Sequence, residues 1–185
     1  MIRNATKNDA KRVIELLNLA MDNIAFTLSG ATDIKISNTI LEEFFRSTNN
    51  RLSYENILVF EFKNEVIGAI CIYESKMAKE LDIAFINRLK SLGIEPNIKV
   101  ECDTQNNELY IDSIAVDENH RGKGVAKQLI EASFLRAKEL GINLSLLVDE
   151  AKSDVKSYYK RVGFKPCGNK EILNHKYIYM IKEIK

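Results

Sequence analysis

The chain has 185 residues, 45% hydrophobic and 29% charged, with a formal net charge of +1. That length holds one well-cored domain over residues 1–185, and the composition is that of an ordinary globular protein, which argues against a fibrous or disordered chain. No apolar run reaches membrane-spanning length. Three widely spaced cysteines, Cys71, Cys102 and Cys167, with no C-x-x-C pair, argue against both a disulfide framework and a zinc site. The first residues lack a signal peptide's hydrophobic core, so a cytoplasmic location is expected.

Residues 2–5 read as a short strand. Thr6 or Asn8 can cap a helix running to about residue 23, with Val13, Leu16, Leu17 and Ala20 on one face. Residues 26–33 read as a loop and 36–46 as a second helix, its apolar side formed by Ile40, Leu41, Phe44 and Phe45. A hairpin follows, 57–62 and 66–73 around Lys63-Asn64-Glu65. Residues 77–92 read as one helix ending at Gly93, and 94–107 as a connection with a short strand at 98–100. The stretch 74–107 is therefore a helical insertion, long enough to suggest a functional part.

Residues 109–116 read as a strand, 127–140 as a helix ended by Gly141, 144–148 as a buried strand, and 154–161 as a short helix closed by Gly163. Two strands end the chain, near 164–167 and 177–181. Strands and helices mix along the whole length, with no repeat or linker, so the fold class is α+β.

Between the strand at 109–116 and its helix lies His120-Arg121-Gly122-Lys123-Gly124-Val125-Ala126. A basic, glycine-rich turn from strand into helix presents free N–H groups at the positive end of a helix dipole, a site for phosphate or pyrophosphate. The charge distribution agrees. Residues 1–120 carry 13 Lys and Arg against 19 Asp and Glu, net −6, and residues 121–185 carry 14 against 7, net +7. The basic part starts at the turn, and the acidic part suits a cationic co-substrate.

The turn lacks the spacing of a P-loop, and it has only G-x-G where a dinucleotide fold has G-x-G-x-x-G. Arg121-Gly122-Lys123-Gly124-Val125-Ala126 does match [QR]-x-x-G-x-[GA]. With Asp112-Ser113-Ile114-Ala115-Val116-Asp117 before it and Tyr158-Tyr159-Lys160-Arg161-Val162-Gly163-Phe164 after it, the chain resembles the GNAT family of N-acetyltransferases. The detailed resemblance covers about 105–166. It implies a central mixed, mostly antiparallel sheet of about seven strands flanked by helices on both faces. It also implies acetyl-CoA as co-substrate and an amine, small or peptidic, as acceptor.

Residue by residue, the resemblance puts the pantetheine arm on the backbone of Ile114, Ala115 and Val116. It puts the pyrophosphate on Arg121, Gly122, Lys123, Gly124, Val125 and Ala126. Lys152 stands where the family often has an asparagine that contacts the cofactor. A protonated amine must lose a proton before attack, which a carboxylate can accept through water. Glu108 is favoured over Asp112 for this task. Strict alternation would place Glu108, Tyr110, Asp112, Ile114 and Val116 on one face, with both carboxylates facing solvent as the alternative to a catalytic role. Tyr159 stands where the family has its thiolate-protonating tyrosine, and Tyr158 where it has a core aromatic. His120 is expected to face solvent.

Two other functions compete. One is a non-catalytic acyl-CoA-binding module on the same fold, and the other a nucleotide-binding oxidoreductase. No docking motif for nucleic acid is present. A monomer and a homodimer are equally compatible with the sequence.

Overall fold

The computed structural model describes residues 1–21, 24–98, 107–172 and 175–184. Seven strands form one sheet: β1 (Ile2–Asn4), β2 (Ile57–Phe62), β3 (Glu65–Glu74), β4 (Leu109–Val116), β5 (Leu144–Asp149), β6 (Lys165–Ile172) and β7 (His175–Lys182). Their order is β1-β2-β3-β4-β5-β7-β6, and every neighbouring pair is antiparallel except β4 with β5. The expected mixed, mostly antiparallel α+β sheet is therefore what forms.

The helices are α1 (Ala10–Met21), α2 (Ile24–Ser29), α3 (Ile34–Arg46), α4 (Ala78–Leu81), α5 (Ile83–Ser91), α6 (Val125–Leu140) and α7 (Ser153–Arg161). They bury the sheet on both faces. One core joins Val13, Leu17, Leu41, Phe45, Phe85, Cys71 and Tyr110; the other joins Leu129, Ile130, Ile70, Ile111, Leu146, Tyr159 and Phe164. The continuous apolar run of β3 follows from this, since Ala69, Cys71 and Tyr73 face one core while Ile70 and Ile72 face the other.

Local chemistry sets the boundaries. Asp33 caps α3, its side chain accepting from the N–H of Lys35 and Ile36 at 2.9 and 3.0 Å. Lys63 and Asn64, both at positive φ, turn β2 into β3.

Two expectations are corrected. Residues 26–29 of the loop expected over 26–33 belong to the helix α2, because Ala25 and Leu28 bury against the α1–α3 core and Ser29 Oγ meets Ser37 Oγ at 2.9 Å. The single helix expected over 77–92 is two helices broken at Asp82, whose buried carboxylate pairs with Arg51 at 2.7 Å. The strand expected at 98–100 falls at Lys99 and Val100 outside the described residues.

The ends of this excursion meet. Ser75 N–H donates to the Glu108 carbonyl at 2.7 Å, and Glu108 N–H donates to Ser75 Oγ at 3.0 Å. Of the described residues between them, those of α5 pack on the α1–α3 side of the sheet, where Phe85 stacks on Phe44 with ring centroids 4.2 Å apart and Arg88 Nε donates to the Ser29 carbonyl at 2.8 Å.

Candidate active site

The site begins with an irregularity in β4. Against β3, Cys71 pairs with Ser113 and Ile72 with Ile111, so Asp112 is an extra residue on β4. This β-bulge resets the alternation. Leu109 and Ile111 face the α6 core and Tyr110 the α1 core; beyond the bulge, Ile114 and Val116 face α6 and Ala115 faces α1. The single face expected for Tyr110, Ile114 and Val116 is thus corrected, because one inserted residue exchanges the two faces.

The bulge also marks where two strands part. β4 pairs with β5 only from Leu109 to Ile111, opposite Leu144 to Leu146, while β5 continues along β7 to Asp149. Past Ile111 the β5-side edge of β4 has no ladder partner among the described strands. A cleft of about 470 Å³ opens there. Ile114, Ala115 and Val116 line it, together with Arg121, Gly122, Gly124, Val125 and Ala126. An unpaired strand edge can pair with an amide-bearing chain as a further strand would.

The glycine turn closes one end of this cleft. Gly122 and Gly124 stand at φ +74° and +80°, where a side chain is strained, and a Cβ on either would meet nothing within 4 Å. The first i,i+4 bond of α6 runs from Gln128 N–H to the Gly124 carbonyl, at 3.1 Å. The N–H groups of Val125, Ala126 and Lys127 therefore have no acceptor within the helix. The helix starts close to the sheet because Gly68 of β3 lies beneath it: a Cβ there would stand 2.8 Å from Val125 Cγ1.

The basic side chains are less engaged. Arg121 Nε reaches the Val116 carbonyl at 3.3 Å, and Lys123 Nζ the Asn119 carbonyl at 2.8 Å. Lys123 and Lys152 are exposed and do not line the cleft; Lys152 only precedes α7.

Glu108 is buried and Asp112 is half-buried with both its described partners inside the protein, which corrects the solvent-facing alternative. Glu108 is 4% exposed and accepts a hydrogen bond from the Tyr179 hydroxyl. Asp112 accepts from the Tyr73 hydroxyl at 2.7 Å and from Arg51 Nη1 at 3.3 Å. Asp112 thus has a cationic partner, whereas the described partner of the Glu108 carboxylate is a neutral phenol.

The tyrosines are placed differently from expectation. Tyr159 packs inside the core, 5.6 Å from Phe164 between ring centroids, and burial pushes its phenol up to about 12. Tyr158 is the one that lines the cleft, 5.7 Å from Tyr159. No spacing argument separates two adjacent tyrosines on a nine-residue helix.

Four further lining residues were not anticipated: Leu19 and Ala20 of α1, His120 and Lys127. The one available signal was Leu19, an apolar residue off the buried stripe of α1. His120 does not simply face solvent: it is half-buried, with Nδ1 3.1 Å from Asp117 Oδ1. Arg12 Nη2 donates to the other Asp117 oxygen at 2.6 Å, and these two contacts, Arg12 first, hold the Asp117 carboxyl down at about 2. Arg12 thereby fastens α1 to the end of β4.

The acetyltransferase (GNAT) family profile matches residues 32–164. A crystal structure titled as an acetyltransferase is 29% identical and superposes with a TM-score of 0.82, covering 100% of both chains. The N-acetyltransferase from Staphylococcus aureus Mu50 is 26% identical with a TM-score of 0.83, over 98% of this chain and 99% of that one. The peptidyl-lysine N-acetyltransferase YjaB of Escherichia coli K12 is 35% identical over 63 residues, which is 34% of this chain. The chain spans about 40% of the length of the curated relatives it matches. With the family profile matching well over half its residues and the fold matching throughout, the chain belongs to the acetyltransferase (GNAT) family.

Proposed function

We propose that this protein transfers the acetyl group of acetyl-CoA to a primary amine. The observation that carries the reading is the meeting of an unpaired β4 edge with an open glycine turn in one cleft. The backbone of Ile114, Ala115 and Val116 would hold the pantetheine amides. The N–H groups at the start of α6, with Gly122 and Gly124, would hold the pyrophosphate. Arg121 and Lys123 would add positive charge at its rim, and Lys152 a more distant one. Acetyl-CoA supplies the activated thioester carbonyl.

A lysine-type amine with a pKa near ~10.4 is unprotonated in only about one molecule in a few thousand at pH 7. Glu108 is the base, accepting the amine proton through water, and Tyr179 holds its carboxylate. Asp112 is the weaker candidate because Arg51 already matches its charge. Tyr159, packed in the core 5.7 Å behind the cleft-lining Tyr158, would reach the departing thiolate with its hydroxyl and donate to it; with a pKa of about 12 it stays protonated through the neutral range. Tyr158 shapes the cleft wall beside it.

The name peptidyl-lysine N-acetyltransferase carried by YjaB, and the acidic charge of residues 1–120, support a cationic acceptor such as a lysine side chain. The insertion over residues 74–107, whose helices α4 and α5 pack on the α1–α3 side of the sheet, would shape the choice of acceptor.

The first experiment is thermal unfolding with CoA or NAD. CoA at about 100 times its Kd stabilises by about 2.7 kcal/mol, which for a chain of this size raises Tm by about 5–10 °C. Protection by NAD and none by CoA would overturn the reading.

A further inference from the structure

Arg51 lies between α3 and β2 and is 5% exposed. Its Nε donates to Asp82 Oδ1 at 2.7 Å and its Nη1 to Asp112 Oδ1 at 3.3 Å. Its backbone N–H donates to the Leu81 carbonyl at 3.3 Å, and Cys71 Sγ donates to its carbonyl at 3.2 Å. Tyr73, from β3, completes the cluster by donating to Asp112. The guanidinium thus ties the break between α4 and α5 to β4, while the Arg51 carbonyl and Asp112 take hydrogen bonds from Cys71 and Tyr73 of β3. Burial opposes the charge on Arg51, but Asp112, Tyr73 and Asp82 more than offset it and hold its pKa well above its ordinary value.

Buried charge of this kind is poor value as a stabiliser. Replacing a whole buried ion cluster with neutral groups of similar shape is often harmless, while removing one partner is not. The position of the cluster accounts for it better. Asp112 is the extra residue of the β4 bulge, and the bulge decides which way residues 113–116 face. A one-residue slip would exchange Ile114 and Val116 with Ala115 across the sheet.

We propose that Arg51 is a positioning residue: by gripping Asp112 and Asp82 together it fixes the bulge, and so aims the backbone of residues 113–116 into the cleft. The inference rests on the reading of that cleft as the acetyl-CoA site.

The test compares wild type, Arg51→Met and the neutralised triple variant R51M/D82N/D112N by calorimetric CoA binding, thermal melting and amide hydrogen exchange over residues 112–116. Arg51→Met leaves two buried carboxylates facing each other and melts at a lower temperature. The triple variant regains melting temperature but binds CoA about tenfold more weakly or worse, because apparent affinity falls with the fraction of chains holding the competent register. Its exchange over residues 112–116 is faster than wild type. A triple variant with wild-type CoA affinity and exchange would reduce the cluster to scaffold and overturn the proposal.

Arg51→Lys keeps the charge without a two-pronged grip and is the second variant should the triple variant not fold. Weakened CoA binding by folded Arg51→Lys supports the proposal, and wild-type affinity contradicts it. CoA binding fails in every chain, wild type included, only if the reading of the cleft is itself wrong.

Discussion

Gly124→Ala separates a turn that merely turns from one that cradles phosphate. Gly124 sits at φ +80°, ψ 8°, and an added Cβ would meet nothing within 4 Å, so the substitution brings backbone strain without a clash in the free protein. That strain amounts to about 1–2 kcal/mol, or roughly 2–8 °C in Tm for a chain of this size. Gly141 provides the matched control. It lies at φ +70°, also with nothing within 4 Å of a Cβ, at the other end of α6 and away from the cleft. Gly141→Ala should cost the same stability. Only Gly124→Ala should weaken CoA, about tenfold or more, because its methyl would occupy the space the pyrophosphate needs. Isothermal titration at a temperature where both variants are folded reads the difference. Equal CoA affinities for the two variants, with equal losses of Tm, would refute the phosphate-cradle argument.

Other substitutions test other parts of the site. Glu108→Gln should lower kcat by about 10²–10⁴ with CoA affinity unchanged, and should remove the acid limb of the pH–rate profile; an unaltered limb would exclude Glu108 as base. Tyr159→Phe should lower kcat with little change in Tm, since it removes one hydroxyl from a core aromatic, and Tyr158→Phe should act mainly on CoA KM; the reverse pattern would transfer the proton-donor role to Tyr158. Phe85→Ala should cost about 3–5 kcal/mol in chemical denaturation, because a fully buried ring leaves a cavity. Asp9 is held at about 2, chiefly by Arg3, against an ordinary value of 3.8. A depressed folded-state pKa contributes stability above pH 3.8 that is lost as pH falls through about 2. Asp9→Asn should therefore flatten the acid side of the stability profile, and an unchanged profile would remove Asp9 from it.

The order of elements was legible because periodicity and turn chemistry carry it: the Lys63-Asn64 hairpin, the glycine stop at Gly141, and the apolar stripe of α6 all lie in contiguous residues. The glycine turn was legible for the same reason. What escaped depends on contacts between distant segments. An extra residue in β4 is invisible to an alternation count, because Asp112 becomes the bulge only through its pairing with β3. Nothing around Arg51 marks it, since its partners lie 31 and 61 residues away. The break at Asp82 has the same origin, a tertiary ion pair overriding a helical pattern. The residues of α2 looked like a loop because Gly30 and the polar residues beyond it outweighed the short Ala25–Leu28 spacing. Tyr158 and Tyr159 were separable only once α7 had been laid against the sheet.

Amine acetylation at the β4 cleft is tested most directly by an amine panel. Purified protein is incubated with acetyl-CoA and lysine-bearing peptides, polyamines or small primary amines, and released thiol is followed together with the mass of the acceptor. Thiol release should depend on a primary amine, match the gain of one acetyl group in the acceptor's mass, and collapse in Glu108→Gln. Bound acetyl-CoA with no thiol released by any amine would contradict amine acetylation and leave the fold as a binding module.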